Sequence, residues 1–317
     1  MAASTTTTDV FQSGKYKTVP IRVLPPYSDL LNPPPKPLLI QSPVEVAEEF
    51  PVMVLLHGYL MENSFYSQLI QHISSHGYIM VAPQLYTCAG IDSTDDINAA
   101  AAITNWLSQG LAAVLPTPVS ANLSKLVLAG HSRGGKDAFA LALGKSSTPL
   151  TLSFSALLGI DPVDGIGTCC KNFQSPPPVL TYVPKSFDLS MPVMVIGSGL
   201  GPDKKYNVLP ACAPKGLNHV DFFAECRSPA WHFVAIHYGH MDMLDDVTKG
   251  WGGTVACMCT SASSREKMSS REPMRRFVGG AAVAFLRAYL GGDDRDLMAL
   301  KDTRDIAPVQ ITVEPRL

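Results

Sequence analysis

Charged side chains are scarce in this chain of 317 residues: Asp, Glu, Lys and Arg together make up 16%, against about 25% in an average soluble protein. The signs nearly balance, with 25 basic and 27 acidic residues. No Lys/Arg tract is long enough to follow a phosphate backbone, which excludes nucleic acid as a partner. Long apolar runs are missing as well. The strongest, Phe50 to Leu56 and Gly279 to Leu286, fall far short of the roughly 18 residues that a membrane span requires. Disorder is excluded by a hydrophobic share of 46%, because disordered chains pair low hydrophobicity with high net charge. The apolar excess must therefore go into a large core, an apolar pocket, or both.

Metal-site patterns are absent too. There is no His-Glu-x-x-His segment and no tight His/Asp cluster, so no metal is expected, and Met241-Asp242-Met243 reads as pocket lining. The seven cysteines (88, 169, 170, 212, 226, 257, 259) hold one adjacent pair and one pair split by a single residue, too tight for a zinc knuckle. They read as buried thiols with one or two bridges. Residues 1–18 are rich in Ser and Thr but have no apolar centre of a secretory signal.

What is present is an alternation. Proline-interrupted pieces over 19–44 suit edge strands and turns. Buried strands are then expected at 51–56, 78–82, 126–129, 154–160, 193–196 and 232–236. Helices are expected at 64–76, 95–114, 134–143 and 275–290. Buried strands alternating with helices predict an α/β fold with a mostly parallel sheet covered on both faces. The chain divides into a flexible N-terminus (1–14), one α/β domain (15–292) and a peripheral tail (293–317). The long segments 161–191 and 197–230 are expected to be lid-like loops lining a pocket at the carboxyl ends of the strands.

One segment carries chemistry. Gly130-His131-Ser132-Arg133-Gly134 is a G-x-S-x-G turn between a predicted strand and a predicted helix. Such a turn forces the serine into strained backbone that exposes its hydroxyl, and Gly130 and Gly134 leave room for it. The Arg133 amide at the helix start would face a developing oxyanion, with the Tyr59 or Leu60 amide as second donor from the loop after an earlier strand. His57 reads as a structural residue of that loop. The base should follow the last strand, where His232, His237 and His240 compete. His240 is preferred, because only a residue beyond the strand's carboxyl end can reach Ser132. His219 reads as wall or structure. For the orienting carboxylate, Asp161 at a strand end is chosen over Asp164 and Asp203. Asp242, Asp245 and Asp246 read as a solvated helix start.

Several segments together resemble the plant chlorophyllases. They are Gly130-His131-Ser132-Arg133-Gly134-Gly135-Lys136, Gly159-Ile160-Asp161-Pro162-Val163 and the run from Tyr238 to Asp245. Ser75 to Ile79, Val81 to Gln84, Cys212-Ala213-Pro214 and Leu217-Asn218-His219 extend the similarity over about residues 15–290. The resemblance implies an α/β-hydrolase fold and hydrolysis of the phytyl ester of chlorophyll to chlorophyllide and phytol. It implies a triad of Ser132, Asp161 and a C-terminal histidine. The substrate would be chlorophyll or a related phytylated porphyrin, with peripheral membrane contact. The magnesium belongs to the pigment, so no cofactor of the protein's own is implied. The implied compartment is the chloroplast, with a cytosolic or endomembrane-associated location as the alternative. A carboxylesterase or lipase acting on another lipophilic ester, or a non-catalytic hydrolase-fold receptor, are the competing readings.

Overall fold

Strand residues that are apolar in both directions build the centre of the protein. In the computed structural model, which describes residues 9–25, 30–168, 171–203, 210–261 and 271–317, nine strands form one sheet. They are β1 (Thr18–Val23), β2 (Leu38–Pro43), β3 (Glu49–Leu56), β4 (Ile79–Pro83), β5 (Ser120–His131) and β6 (Ala156–Ile160), then, past the small β7–β8 hairpin (Gly165–Gly167, Asn172–Gln174), β9 (Val193–Ser198), β10 (Ala230–Ala235) and β11 (Ile311–Arg316). The order is β1-β2-β4-β3-β5-β6-β9-β10-β11. From β4 to β10 neighbours run parallel, whereas β1, β2 and β11 join antiparallel at the edges.

Alternate side chains of each strand serve different cores, as a pleated strand requires. Met53 and Leu55 point to the face covered by α1 (Ser67–Ser75), α6 (Glu272–Gly291) and α7 (Arg295–Asp302). Val52, Val54 and Leu56 point to the face covered by α2 (Thr94–Val114), α3 (Arg133–Ala142) and α4 (His219–Glu225). Both faces being buried explains why these strands are continuous apolar runs rather than alternating ones. Helix α5 (Gly250–Met258) lies in the connection after β10. Among the described residues no helix is long and apolar enough to cross a membrane.

Two boundaries differ from the sequence reading. The tail at 293–317 is not peripheral: Leu297, Leu300 and Ile311 are buried, and β11 pairs with β10 from Ala230–Arg316 to Ala235–Ile311. Its alternating, largely polar sequence gains strand structure from pairing rather than from its own propensity. Within the segment expected to be a flexible N-terminus, Val10 and Phe11 are buried against the helix α6. The Cys169-Cys170 pair and residues 1–8 lie outside the described residues. Cys212 and Cys259 form a disulfide, while Cys226 is a buried free thiol and Cys88 and Cys257 are exposed ones.

Candidate active site

β5 ends in the sharp turn that the glycine spacing announces. Ser132 has φ 57° and ψ −122°, backbone that costs a non-glycine residue about 1–3 kcal/mol. A Cβ on Gly130 would fall onto the Gly134 carbonyl, and one on Gly134 onto the carbonyls of Leu56 and His57. Glycine is required at both positions. The strained turn is held by the Ser132 amide donating to the Ile160 carbonyl (3.0 Å), and by the Lys136 and Val163 amides donating to the Ser132 carbonyl.

Three buried side chains converge from three strand ends. Asp161 follows β6, and its amide continues the ladder to the Ile196 carbonyl of β9 (2.6 Å). His240 lies in the loop beyond β10. Its Nδ1 is 2.8 Å from Asp161 Oδ2 and its Nε2 is 2.8 Å from Ser132 Oγ. A carboxylate only accepts, so Nδ1 carries the proton and Nε2 presents its lone pair to the Ser132 hydroxyl. The Ser198 hydroxyl also donates to Asp161 Oδ2. Burial works to raise the Asp161 carboxyl, yet the hydrogen bond and charge of His240, with help from His219 and Ser198, hold it below the ordinary carboxylate range. Asp161 is therefore ionised wherever the protein is folded near neutrality.

The competing residues go elsewhere. His232 lies inside β10, hydrogen-bonds His219 Nδ1 (2.8 Å) and stacks on Phe223, and burial pushes it down to about 3. His237 is exposed and bonds Gln310 (2.8 Å). Asp164 accepts from the Val179 and Leu180 amides and from Gln174, 3.8 Å from Lys136, and so pins a loop. Asp203 is exposed. His57 donates through Nδ1 to the Gly58 carbonyl (2.9 Å) and accepts at Nε2 from the Leu85 amide (3.0 Å).

Gly58 begins a tight turn closed by the Met61 amide on the Gly58 carbonyl (3.1 Å), with Leu60 at φ 58°. This turn carries the Tyr59 and Leu60 amides. Its Gly58 packs against Ser132 and His131. On the other side, the Arg133 amide opens α3, whose first turn holds no carboxylate. The Arg133 side chain, not used in the sequence reading, bonds Asp96 (2.8 Å) and the Gly90 and Asp92 carbonyls (2.6 Å each) between the Tyr59 and Tyr86 rings. It fastens the 86–93 segment beside Ser132.

The expectation for 241–246 is corrected. Met241, Met243 and Asp242 are buried. Asp242 Oδ2 accepts from the Gly239 and Ser261 amides, which shapes the turn bearing His240. Asp245 accepts from the Ser67 hydroxyl and the Gln68 amide at the start of α1, and Asp246 pairs with Arg275 (2.9 Å). No helix starts there; each carboxylate satisfies backbone or charge from another element. The Met241 amide donates to the Cys259 carbonyl (3.1 Å), so the Cys212–Cys259 bridge anchors this loop. Tyr66 and Ser198 were missed in the sequence reading, because a hydroxyl inside an apolar helix face or strand gives no local signal.

A hydroxyl facing a neutral imidazole that is oriented by a carboxylate can attack an ester carbonyl and form an acyl-enzyme. Comparison with known proteins narrows the ester. The family model described as Chlorophyllase matches residues 6–316. Chlorophyllase-2 of Arabidopsis thaliana is 51% identical over 320 residues, covering 98% of this chain and 98% of that one. Chlorophyllase-1 of the same plant is 44% identical over 317 residues, covering 99% and 94%. The protein named "Chlorophyllase-1, chloroplastic" from Citrus unshiu is 42% identical over 313 residues, covering 97% and 88%.

Proposed function

The chain belongs to the chlorophyllase family and is an esterase of the phytyl ester of chlorophyll, and from that premise we propose that Ser132, His240 and Asp161 carry out the cleavage. His240 Nε2 takes the Ser132 proton as Oγ attacks the ester carbonyl, while Asp161 holds the imidazole in the required tautomer and balances its developing charge. The amide of Arg133 and that of Tyr59 or Leu60 donate to the tetrahedral oxyanion. Collapse expels phytol, which receives the proton from His240. Water then attacks the acyl-enzyme with His240 again as base, releasing chlorophyllide and restoring Ser132. A single domain of α/β-hydrolase fold carries this chemistry.

The observation that carries the reading is the pair of 2.8 Å contacts that place His240 between Asp161 and Ser132. The test is chlorophyllide formation from chlorophyll in detergent by the purified protein. Wild type is expected to form it and Ser132→Ala to lose it. Cleavage of p-nitrophenyl esters without any chlorophyllide would instead favour an esterase for another lipophilic substrate.

The reading extends to where the pigment is met. Trp251 (74% exposed), Val247 and Ile91 are bare apolar side chains on connections that follow strand carboxyl ends. Gly252 seats α5 on the Leu60 backbone and Phe65, and the Tyr59 hydroxyl donates to the Ala89 carbonyl, so these segments join around the Ser132 side of the sheet. No charged residue occurs from Gly250 to Ser264. An aromatic anchor on a short uncharged helix suits peripheral contact with lipid rather than a span. The proposed compartment is the chloroplast, on similarity to the Citrus unshiu relative that is named chloroplastic.

A further inference from the structure

A second chain of hydrogen bonds runs behind the proposed triad and uses none of its side chains. The Gly58 amide donates to Tyr66 Oη (2.9 Å), Tyr66 Oη lies 2.7 Å from His131 Nδ1, and His131 Nε2 lies 2.9 Å from the His240 carbonyl. Tyr66, His131 and His240 are all buried. The direction of every link follows from one end. A carbonyl only accepts, so His131 Nε2 carries the proton and donates to His240. Nδ1 of the neutral ring is then an acceptor, which makes Tyr66 the donor to it and leaves the phenol oxygen to accept from Gly58. Burial pushes His131 down to about 3 and raises Tyr66, so both stay neutral and the directions do not change with pH in the working range.

The chain joins the three separate segments that catalysis must hold in register. Gly58 starts the turn with the Tyr59 and Leu60 amides, His131 precedes the nucleophile, and the His240 backbone carries the base. The His131 and His240 rings also lie 4.8 Å apart at 38°, so a proton on His131 would oppose the imidazolium formed on His240 during attack. From this geometry we infer that Tyr66 and His131 are positioning residues for the esterase reaction. They fix the oxyanion turn relative to the base, and the Tyr66 hydroxyl occupies the only site at which His131 could take a proton. The inference rests on the triad assigned above. Both side chains are buried behind Ser132 and His240.

The test uses the full chain and a soluble p-nitrophenyl ester, so that delivery of pigment does not enter. Tyr66→Phe keeps the ring and strands two buried polar groups, the Gly58 amide and His131 Nδ1. Because these groups act on geometry rather than on ester binding, kcat is expected to fall about 10- to 100-fold with KM within about twofold of wild type. His131→Leu removes the donor to the His240 carbonyl and is expected to lose about 100-fold in kcat, whereas His131→Gln, which restores an N–H there, recovers about tenfold of that loss. Should Tyr66→Phe fail to fold by circular dichroism, the Leu/Gln pair decides alone. Wild-type kcat in Tyr66→Phe, a loss confined to KM, or equal losses in Leu and Gln would each overturn the inference. Ser132→Ala in the same assay separates it from the triad: a dead Ser132→Ala beside an unimpaired Tyr66→Phe refutes only the positioning role, and an active Ser132→Ala refutes the triad itself.

Discussion

Replacing both Cys212 and Cys259 by Ser removes the bridge that closes over the loop bearing His240. The bridge spans 47 positions, and on the loop-entropy account closing a loop of that length constrains the unfolded chain by about 4 kcal/mol. With a urea m-value of about 3 kcal/mol/M, the unfolding midpoint should drop by roughly 1 M. The loss should also be felt locally. The Cys259 carbonyl receives the Met241 amide, and Gly239 packs against the backbone of Cys259 and Thr260. Freed of the bridge, this backbone no longer fixes His240 as closely, and kcat on a soluble ester should fall about tenfold, since small displacements of the proposed base are costly. Urea unfolding followed by circular dichroism, with initial rates on the same samples, reads both effects. A midpoint within about 0.2 M of wild type together with unchanged kcat would refute the reasoning.

Two further outcomes follow from other parts of the molecule. Burial holds His57, His131 and His232 at about 4, 3 and 3, below an ordinary histidine. Their folded values are depressed, as is that of His76 (about 4), so these four groups favour folding above about pH 6.5 and their contribution is lost as pH falls toward the folded values; the Asp137 carboxyl, raised by burial to about 7, opposes them by one proton, leaving a slope approaching three protons. Urea midpoints that stay flat between pH 7 and pH 5 would contradict this. The lipid-contact reading is checked with an intrinsic probe, because Trp106 and Trp231 are buried while Trp251 is exposed. Vesicles should shift tryptophan emission to the blue, and Trp251→Ala should abolish the shift and slow cleavage of vesicle-borne chlorophyll while leaving p-nitrophenyl ester rates near wild type. An unshifted spectrum in wild type would remove the lipid contact.

Local stretches of sequence were the most informative. The turn Gly130 to Gly134 could be read directly, because its two glycines are required by backbone that lies within a few residues or directly beneath. The parallel strands could be read because burial on both faces leaves an unbroken apolar run. The preference for His240 over His232 needed only the rule that ligands gather at strand carboxyl ends. Long-range partnerships were not legible. Nothing in the polar pattern of Ile311–Arg316 indicates that β10 has an open edge to pair with, and the seven cysteines permit many bridges besides Cys212–Cys259. The same holds for Asp242 and Asp245, whose sequence suggests a solvated helix start but whose carboxylates satisfy amides from other segments. Tyr66 looks like one more apolar residue of a helix face until its hydroxyl is seen between Gly58 and His131.

The central claim is that chlorophyll is cleaved through an ester formed on Ser132. The most direct measurement is titration with a fluorophosphonate, mapping the adduct by peptide mass spectrometry while chlorophyllide formation is followed on the same samples. One adduct per chain is expected, on Ser132, with activity lost in proportion to labelling and with labelling slowed by chlorophyll. Full chlorophyllide formation by protein fully labelled on Ser132, or loss of activity with the adduct on another residue, would contradict it.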